Sequence, residues 1–269
     1  MPSIISVHSF RGGTGKSNLT ANIATQIAAR GFRVAIVDTD IQSPGLHVLF
    51  GFHEGTLDAS LNEYLWGQIE IEEAAYPVQA IAARDQERAF LYDLNLWIVP
   101  ASIRTSEIAR VLREGYNVGT LNDGFNRLIN SFQLDYLFID THPGLNEETL
   151  LSVAISNLMI ILLRPDQQDF QGTAVTIDVA RKLEVPDIRL ILNKIPSRYD
   201  SDALIADVEA TYQAQVMGAL PLSEDVAMNG SNNIFSVLYP DHPWSRAVQS
   251  MSDTIVTTLA RSDRGQQHR

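Results

Sequence analysis

Cysteine is absent from all 269 residues. Disulfides, thiolate-held metals, iron–sulfur ligation and cysteine nucleophiles are therefore excluded together. Lysine is nearly absent: Lys16, Lys182 and Lys194 are the only ones among 20 Lys and Arg residues. Positive charge is outweighed, with 32 acidic residues and a formal net charge of −12. That balance argues against a broad basic surface for nucleic acid, while leaving room for a local patch. Long apolar runs are missing too, since none approaches the roughly 18 residues a membrane-spanning helix needs. The opening MPSIISVHSF has no basic segment and no small-residue cleavage site, so a cytoplasmic chain without a signal peptide is expected.

Apolar residues make up 45% of the chain, enough for a sizeable core. They fall in short, β-rich, mostly continuous runs: SIISVHS (3–9), RVAIVDT (33–39), LWIVPA (96–101), YLFIDT (136–141), LMIILLR (158–164), RLILNK (189–194) and a weaker VMGALP (216–221). Continuous runs are the mark of strands buried on both faces of a parallel sheet. Helical patterns separate them at 105–115, 120–132, 146–156, 169–183, 202–214 and 245–260. Between the first two runs, Leu19, Ile23 and Ile27 recur every four residues and Gly31 marks a stop. Strands alternating with helices predict an α/β fold, a doubly wound, mostly parallel sheet of about seven or eight strands. Residues 1–269 read as one domain. The irregular stretch 52–95 reads as a surface insertion or short helices, and 261–269 as a polar tail.

Residues 8–18, HSFRGGTGKSN, join the first strand to the first helix. The P-loop pattern G-x-x-x-x-G-K-[ST] is met at Gly15, Lys16 and Ser17 but fails at position 10, which is Phe10. Gly12, Gly13, Thr14 and Gly15 still let backbone N–H groups approach phosphates at a helix N-terminus. Lys16 would reach the β- and γ-phosphates of a nucleotide and the Ser17 hydroxyl would bind Mg²⁺. A glycine-rich turn carrying a surface lysine is the plainer alternative.

Asp38 and Asp40 follow in VDTD, at a strand end where ligands of open α/β sheets lie. They are candidates to hold a metal-bound water or orient an attacking one, or else ordinary turn aspartates. Asp140 ends the apolar run DYLFID, as a metal-holding Walker B aspartate does, and Gly144 could offer its N–H to a γ-phosphate.

RGGTGKS, VDTDIQSPGL and FIDTHPG, in this order, resemble the MinD/ParA group of deviant Walker A ATPases over essentially the whole chain. LWIVPAS, ILNKIP and ALPLSEDV are similar to later segments of that group. The resemblance implies ATP and Mg²⁺ as cofactors, with Ser17, Asp38 and Asp140 around the metal. Asp40 would be the catalytic aspartate, Lys16 a catalytic phosphate ligand, and Asn18 a loop contact in place of the usual threonine. Asn193 would read the adenine edge, while Pro221 and Leu222 cover its face. The group's first loop lysine crosses an ATP-sandwiched homodimer, and here Arg11 stands in its place. Arginine keeps the charge but not the geometry. Arg11 is either a finger acting in trans or a solvated loop residue. His142 replaces a proline, as a modulator of its loop or a plain hydrogen-bonded histidine.

Without cysteine, the cluster-carrying branches of that group are excluded. A tyrosine-kinase-like protein is favoured by DTDIQSPGL but disfavoured by a tail without tyrosines. A nucleotide-binding scaffold with negligible turnover is the other alternative. The expectation is an ATPase switch with slow, partner-stimulated hydrolysis and a protein activator or adaptor. Ala247, Met251, Ile255 and Leu259 form a stripe better suited to the core than to a membrane anchor. Arg181, Lys182, Arg189, Lys194 and Arg198 are candidates for nonspecific DNA contact.

Overall fold

The computed structural model describes residues 2–53, 56–82 and 85–266. Eight strands form one sheet: β1 (Ser3–His8), β2 (Val34–Asp38), β3 (Tyr76–Pro77), β4 (Leu96–Val99), β5 (Tyr136–Asp140), β6 (Leu158–Leu163), β7 (Ile188–Ile195) and β8 (Gln215–Pro221). Their order is β3-β4-β2-β5-β1-β6-β7-β8. Every neighbouring pair is parallel except β3 with β4, which is antiparallel. All seven apolar runs of the sequence are strands. The eighth, a two-residue edge strand, is too short for any periodicity to announce.

The long helices are α1 (Lys16–Ala28), α5 (Thr105–Glu114), α6 (Gly119–Phe132), α7 (Glu147–Ala154), α8 (Gln167–Lys182), α9 (Ser201–Tyr212) and α12 (Pro243–Gln266). Short helical turns are α2 (Leu46–Leu49), α3 (Leu61–Leu65), α4 (Gln79–Ala82), α10 (Glu224–Met228) and α11 (Phe235–Leu238). Side-chain caps fix several starts, because they satisfy N–H groups a helix leaves open. Asn146, Asp166 and Asp200 cap α7, α8 and α9.

Alternation along the buried strands sends side chains to two cores. Ile5, Val7, Ile36, Phe138 and Ile160 face α1 and α12, where Leu19, Ile23, Ile27, Val248, Met251, Ile255 and Leu259 complete one cluster. Ala35, Val37, Leu137 and Ile139 face the other way, against Leu121, Phe125 and Leu128 of α6. The Met251 stripe is therefore core, and α12 runs on to Gln266, six residues past the predicted end. Of the predicted polar tail, 267–269 lie outside the described residues. No helix of the described residues is long and apolar enough to cross a membrane.

The stretch 52–95 forms short helical turns, one of its two expected forms, and many of its apolar residues lie inside instead of over the surface. Phe52, Leu57, Val78, Ile81, Leu91 and Leu94 are buried in the first core, and Leu61, Tyr64, Leu65, Ile71 and Ala74 in the second. Short helical turns at the β3–β4 end of the sheet bury residues at irregular intervals, which is why no period shows in the sequence.

Candidate functional site

Strand β1 lies between β5 and β6, so the 9–15 loop opens among the carboxyl ends of three parallel strands. Register sets Asp140 opposite Val7 and opposite Asp38, placing both aspartates on one level beside the loop. Lys16, first in α1, is buried and donates from Nζ to Asp140 Oδ1 at 2.9 Å. The Thr20 hydroxyl, one turn on, lies 3.1 Å from the same oxygen. The other oxygen of Asp140, Oδ2, is buried with no partner among the described residues. A buried acceptor beside a lysine and without a donor is costly unless something else meets it. A hydrated cation suits it, with the half-buried Ser17 hydroxyl nearby in sequence at the second position of α1. These residues fit Mg²⁺ held through the serine and water.

Asp38 is also buried, but both of its oxygens are engaged by its own loop. Oδ1 accepts from Asp40 N at 3.0 Å, and Oδ2 from Gly45 N and Leu46 N at 3.3 and 3.2 Å. Burial, then the neighbouring Asp140 charge, pushes its carboxyl up to about 7, with Lys16 opposing. It shapes the 38–46 loop, and the predicted metal contact would have to use the remaining lone pair of Oδ1. Asp40 differs. Burial would raise its pKa, but the hydrogen bond from His142, the Lys16 charge and a bond from Ser43 outweigh that and lower it. Asp40 Oδ1 takes His142 Nδ1 at 2.7 Å and Ser43 Oγ at 3.0 Å.

His8, at the end of β1, is a member of this cluster that the sequence did not flag. The Thr141 hydroxyl donates to Val7 O at 3.0 Å, so His8 Nδ1, 2.8 Å from that hydroxyl, must be the donor. Its Nε2 is then an acceptor, buried without a partner. Burial, with the Lys16 and His142 charges, lowers the imidazole to about 3, so the ring is neutral.

Phe10 explains the failed motif position. A Cβ on Gly172 would meet the Phe10 ring at 2.0 Å, so the ring seats against the bare backbone of α8. Gly15 is required for two reasons: its φ is +98°, and a Cβ there would sit 2.6 Å from Asn193 Nδ2. Gly144 is placed beside the loop, but its N–H donates to Ser9 O at 3.2 Å and is not open to a phosphate.

Asn193 enters from β7. Its Nδ2 donates to Thr14 O at 2.7 Å and its Oδ1 accepts from Lys194 N at 2.9 Å. An amide has two hydrogens and two lone pairs, so one of each remains. Lys194 Nζ, a candidate for DNA contact in the sequence, donates to Gly13 O at 2.8 Å and gives the loop a second lysine. Its rarity and its place beside Asn193 were the missed signals. A pocket of about 260 Å³ joins Gly15, Asn18, Asn193, Pro221 and Leu222, five residues assigned to nucleotide from sequence, with Trp244.

Arg11 rests on its own chain in this structure. Its Nη1 lies 3.5 Å from Asp166 and 3.7 Å from Asp169, at the N-terminus of α8, with the side chain 41% exposed. Arg164 holds the same Asp169 at 2.8 Å. The proposed DNA patch is largely engaged as well. Arg189 pairs with Asp187, and Arg181 donates to Tyr212 O and Gln213 O.

Comparison with known proteins agrees with this fold. Over 257 residues the chain is 23% identical to an uncharacterised ATP-binding protein of Methanocaldococcus jannaschii, covering 95% of this chain and 88% of that protein. An iron–sulfur cluster carrier protein of Pseudomonas fragi is 25% identical over 265 residues, covering 94% and 84%. The cell division ATPase MinD of Pyrococcus furiosus superposes with a TM-score of 0.80 at 20% identity, covering 96% of this chain and 100% of that one. MinD of Pyrococcus horikoshii, solved with Mg-ADP, gives 0.76 at 20% identity, covering 95% and 96%. The profile of the CobQ/CobB/MinD/ParA nucleotide binding domain matches residues 5–237, and the chain belongs to that family.

Proposed function

We propose that this chain is an ATP-hydrolysing switch that takes Mg·ATP between the 9–17 loop and the β8–α10 pocket, and pairs with a second copy in that state. The observation that carries this is the buried Lys16–Asp140 pair, 2.9 Å long, with Asp140 Oδ2 left unpartnered beneath a glycine loop. Lys16 would exchange Asp140 for the β- and γ-phosphates, so that one buried counter-charge replaces another. Asp140 and Ser17 would hold the hydrated metal, which supplies charge neutralisation at the phosphates. Asn193 would use its remaining hydrogen and lone pair on adenine, with Pro221 and Leu222 against the ring.

Asp40 would orient the attacking water. Its carboxylate is kept ionised and pinned through one oxygen, so the group is set before substrate arrives. Arg11 would leave Asp166 and Asp169 to reach the partner's phosphates, an exchange made inexpensive because the contacts are long, at 3.5 and 3.7 Å, Arg11 and Asp166 are exposed, and the buried Asp169 keeps Arg164. Without a cysteine, cluster carriage of the kind named for the Pseudomonas relative is not part of the proposal. The output would be a changed affinity for a protein partner.

The test is solution mass by light scattering with no nucleotide, ADP and ATP, using Asp40→Ala to slow turnover. An ATP-dependent dimer that Arg11→Ala abolishes is expected. A monomer under every condition, with ATP bound, would sink the sandwich switch and leave a nucleotide-binding scaffold.

A further inference from the structure

We propose that His142 is the positioning residue of Asp40, fixing which carboxylate oxygen can take the attacking water. This rests on the reading of Asp40 as the group that orients that water. His142 comes from the loop after β5 and Asp40 from the loop after β2, 102 residues apart, yet Nδ1 and Oδ1 are 2.7 Å apart. An ionised carboxylate only accepts, so Nδ1 carries the hydrogen.

The same oxygen also accepts from Ser43 N at 3.2 Å and Ser43 Oγ at 3.0 Å. Three donors crowd Oδ1, and Oδ2 is the oxygen open to a further donor. Ser43 alone belongs to Asp40's own loop and would move with it. Among the described residues, His142 is the one contact that ties the carboxylate to another element.

That element is itself held on both sides. The Thr149 hydroxyl of α7 donates to His142 O at 3.3 Å, and Gly144 N donates to Ser9 O at 3.2 Å. Asn146 caps α7 directly behind. His142 therefore refers Asp40 to the frame that carries both the phosphate loop and Asp140. Proline at this position has no side-chain donor, so a chain with proline there would lack this tether. The charged and titratable groups about the imidazole are Asp40, Glu148 of α7, and His8, which lies near Lys16. Glu148 is held above its usual range chiefly by burial, with the His142 charge opposing. Imidazole thus stands between two carboxyls and is bonded to only one of them.

The experiment measures steady-state ATP hydrolysis and equilibrium ATP binding for wild type, His142→Ala, His142→Asn, Asp40→Asn and the His142→Ala/Asp40→Asn double variant. Asparagine keeps an N–H donor at the position of Nδ1. His142→Ala should lower kcat by on the order of 10- to 100-fold with ATP affinity held within about twofold, because only the reacting group is misplaced. His142→Asn should recover most of that loss, and the double variant should be no slower than Asp40→Asn alone. Unchanged kcat in His142→Ala, a parallel loss of ATP affinity, failure of asparagine to rescue, or additive losses in the double variant would each overturn the proposal. Those results leave the ATPase reading standing as long as Asp40→Asn is slow. Wild-type turnover equal to that of Asp40→Asn, or absent, would overturn both.

Discussion

The two ends of the candidate nucleotide site are built on opposite principles. At the phosphate end, Asp38, Asp140, Lys16 and His8 are buried and Asp40 nearly so, and each hydrogen bond serves a charge or a buried ring. At the base end, the pocket is lined largely by apolar and small groups, and Leu222 stands 59% exposed. Buried charges are costly unless every partner is present, whereas an apolar cleft tolerates being empty. The phosphate end should therefore be fragile and dominate affinity, and the base end forgiving and selective.

Lys16→Ala breaks that contrast most severely. It leaves Asp140 buried next to Asp38 without a counter-charge, and should cost about 3–5 kcal/mol of unfolding free energy at neutral pH together with nucleotide binding. Urea denaturation and a fluorescent ATP analogue measure the two losses. A stable variant that still binds ATP would show that the pair is not the foundation of the site.

Gly15→Ala strikes the seam between the ends. Its φ of +98° and the 2.6 Å approach of Asn193 Nδ2 make both backbone and packing object. A cost of about 2 kcal/mol is expected, with ATP affinity falling further than stability because the Asn193 amide must move.

Protons should distinguish the ends next. His8 is lowered to about 3 in the folded protein from an ordinary 6.5. The unfolded chain therefore binds more protons between those values. The stability that neutral His8 contributes is complete above pH 6.5 and is lost as pH falls, by up to about 1.4 kcal/mol per pH unit. In His8→Asn the slope of the urea midpoint between pH 6.5 and 5 should be shallower than in wild type by that share. Identical slopes would mean that the ring is not buried neutral.

The smallest effect belongs to the base end. Asn193→Ala removes the amide that ties Thr14 and Lys194, one hydrogen bond each, and should weaken ATP by about tenfold while erasing preference over GTP. Competition binding with ATP and GTP reads it directly. Preference that survives would move base selection to Ser223–Ser231.

How much of this was legible varies by residue. Lys16, Asp38, Asp40, Asp140 and Asn193 all lie in the site, because each stands at a strand end or helix start and short-range pattern announces such places. Asp38 shows the limit: it lies beside Asp140, but its oxygens already accept from Asp40, Gly45 and Leu46 N–H groups, which only loop geometry reveals. Gly144 is likewise near the loop with its N–H already used. Phe10 looked like a defect and is a packing residue, since its counterpart Gly172 lies 162 positions on and no local rule couples them. Thr20, one helical turn from Lys16, could have been found from spacing alone.

The sequence by itself determined the strand runs, the parallel sheet, the glycine loop between β1 and α1 and the lack of any thiol chemistry. These follow from hydrophobic period and residue type, which act over a few neighbours. Only the tertiary structure decided that apolar residues of 52–95 enter both cores, that Arg11 rests on Asp166 and Asp169, that Lys194 bonds the glycine loop, and that His142 grips Asp40. Those contacts join residues brought together by strand order. A side chain 100 or more positions away leaves no periodic trace in the sequence around its partner.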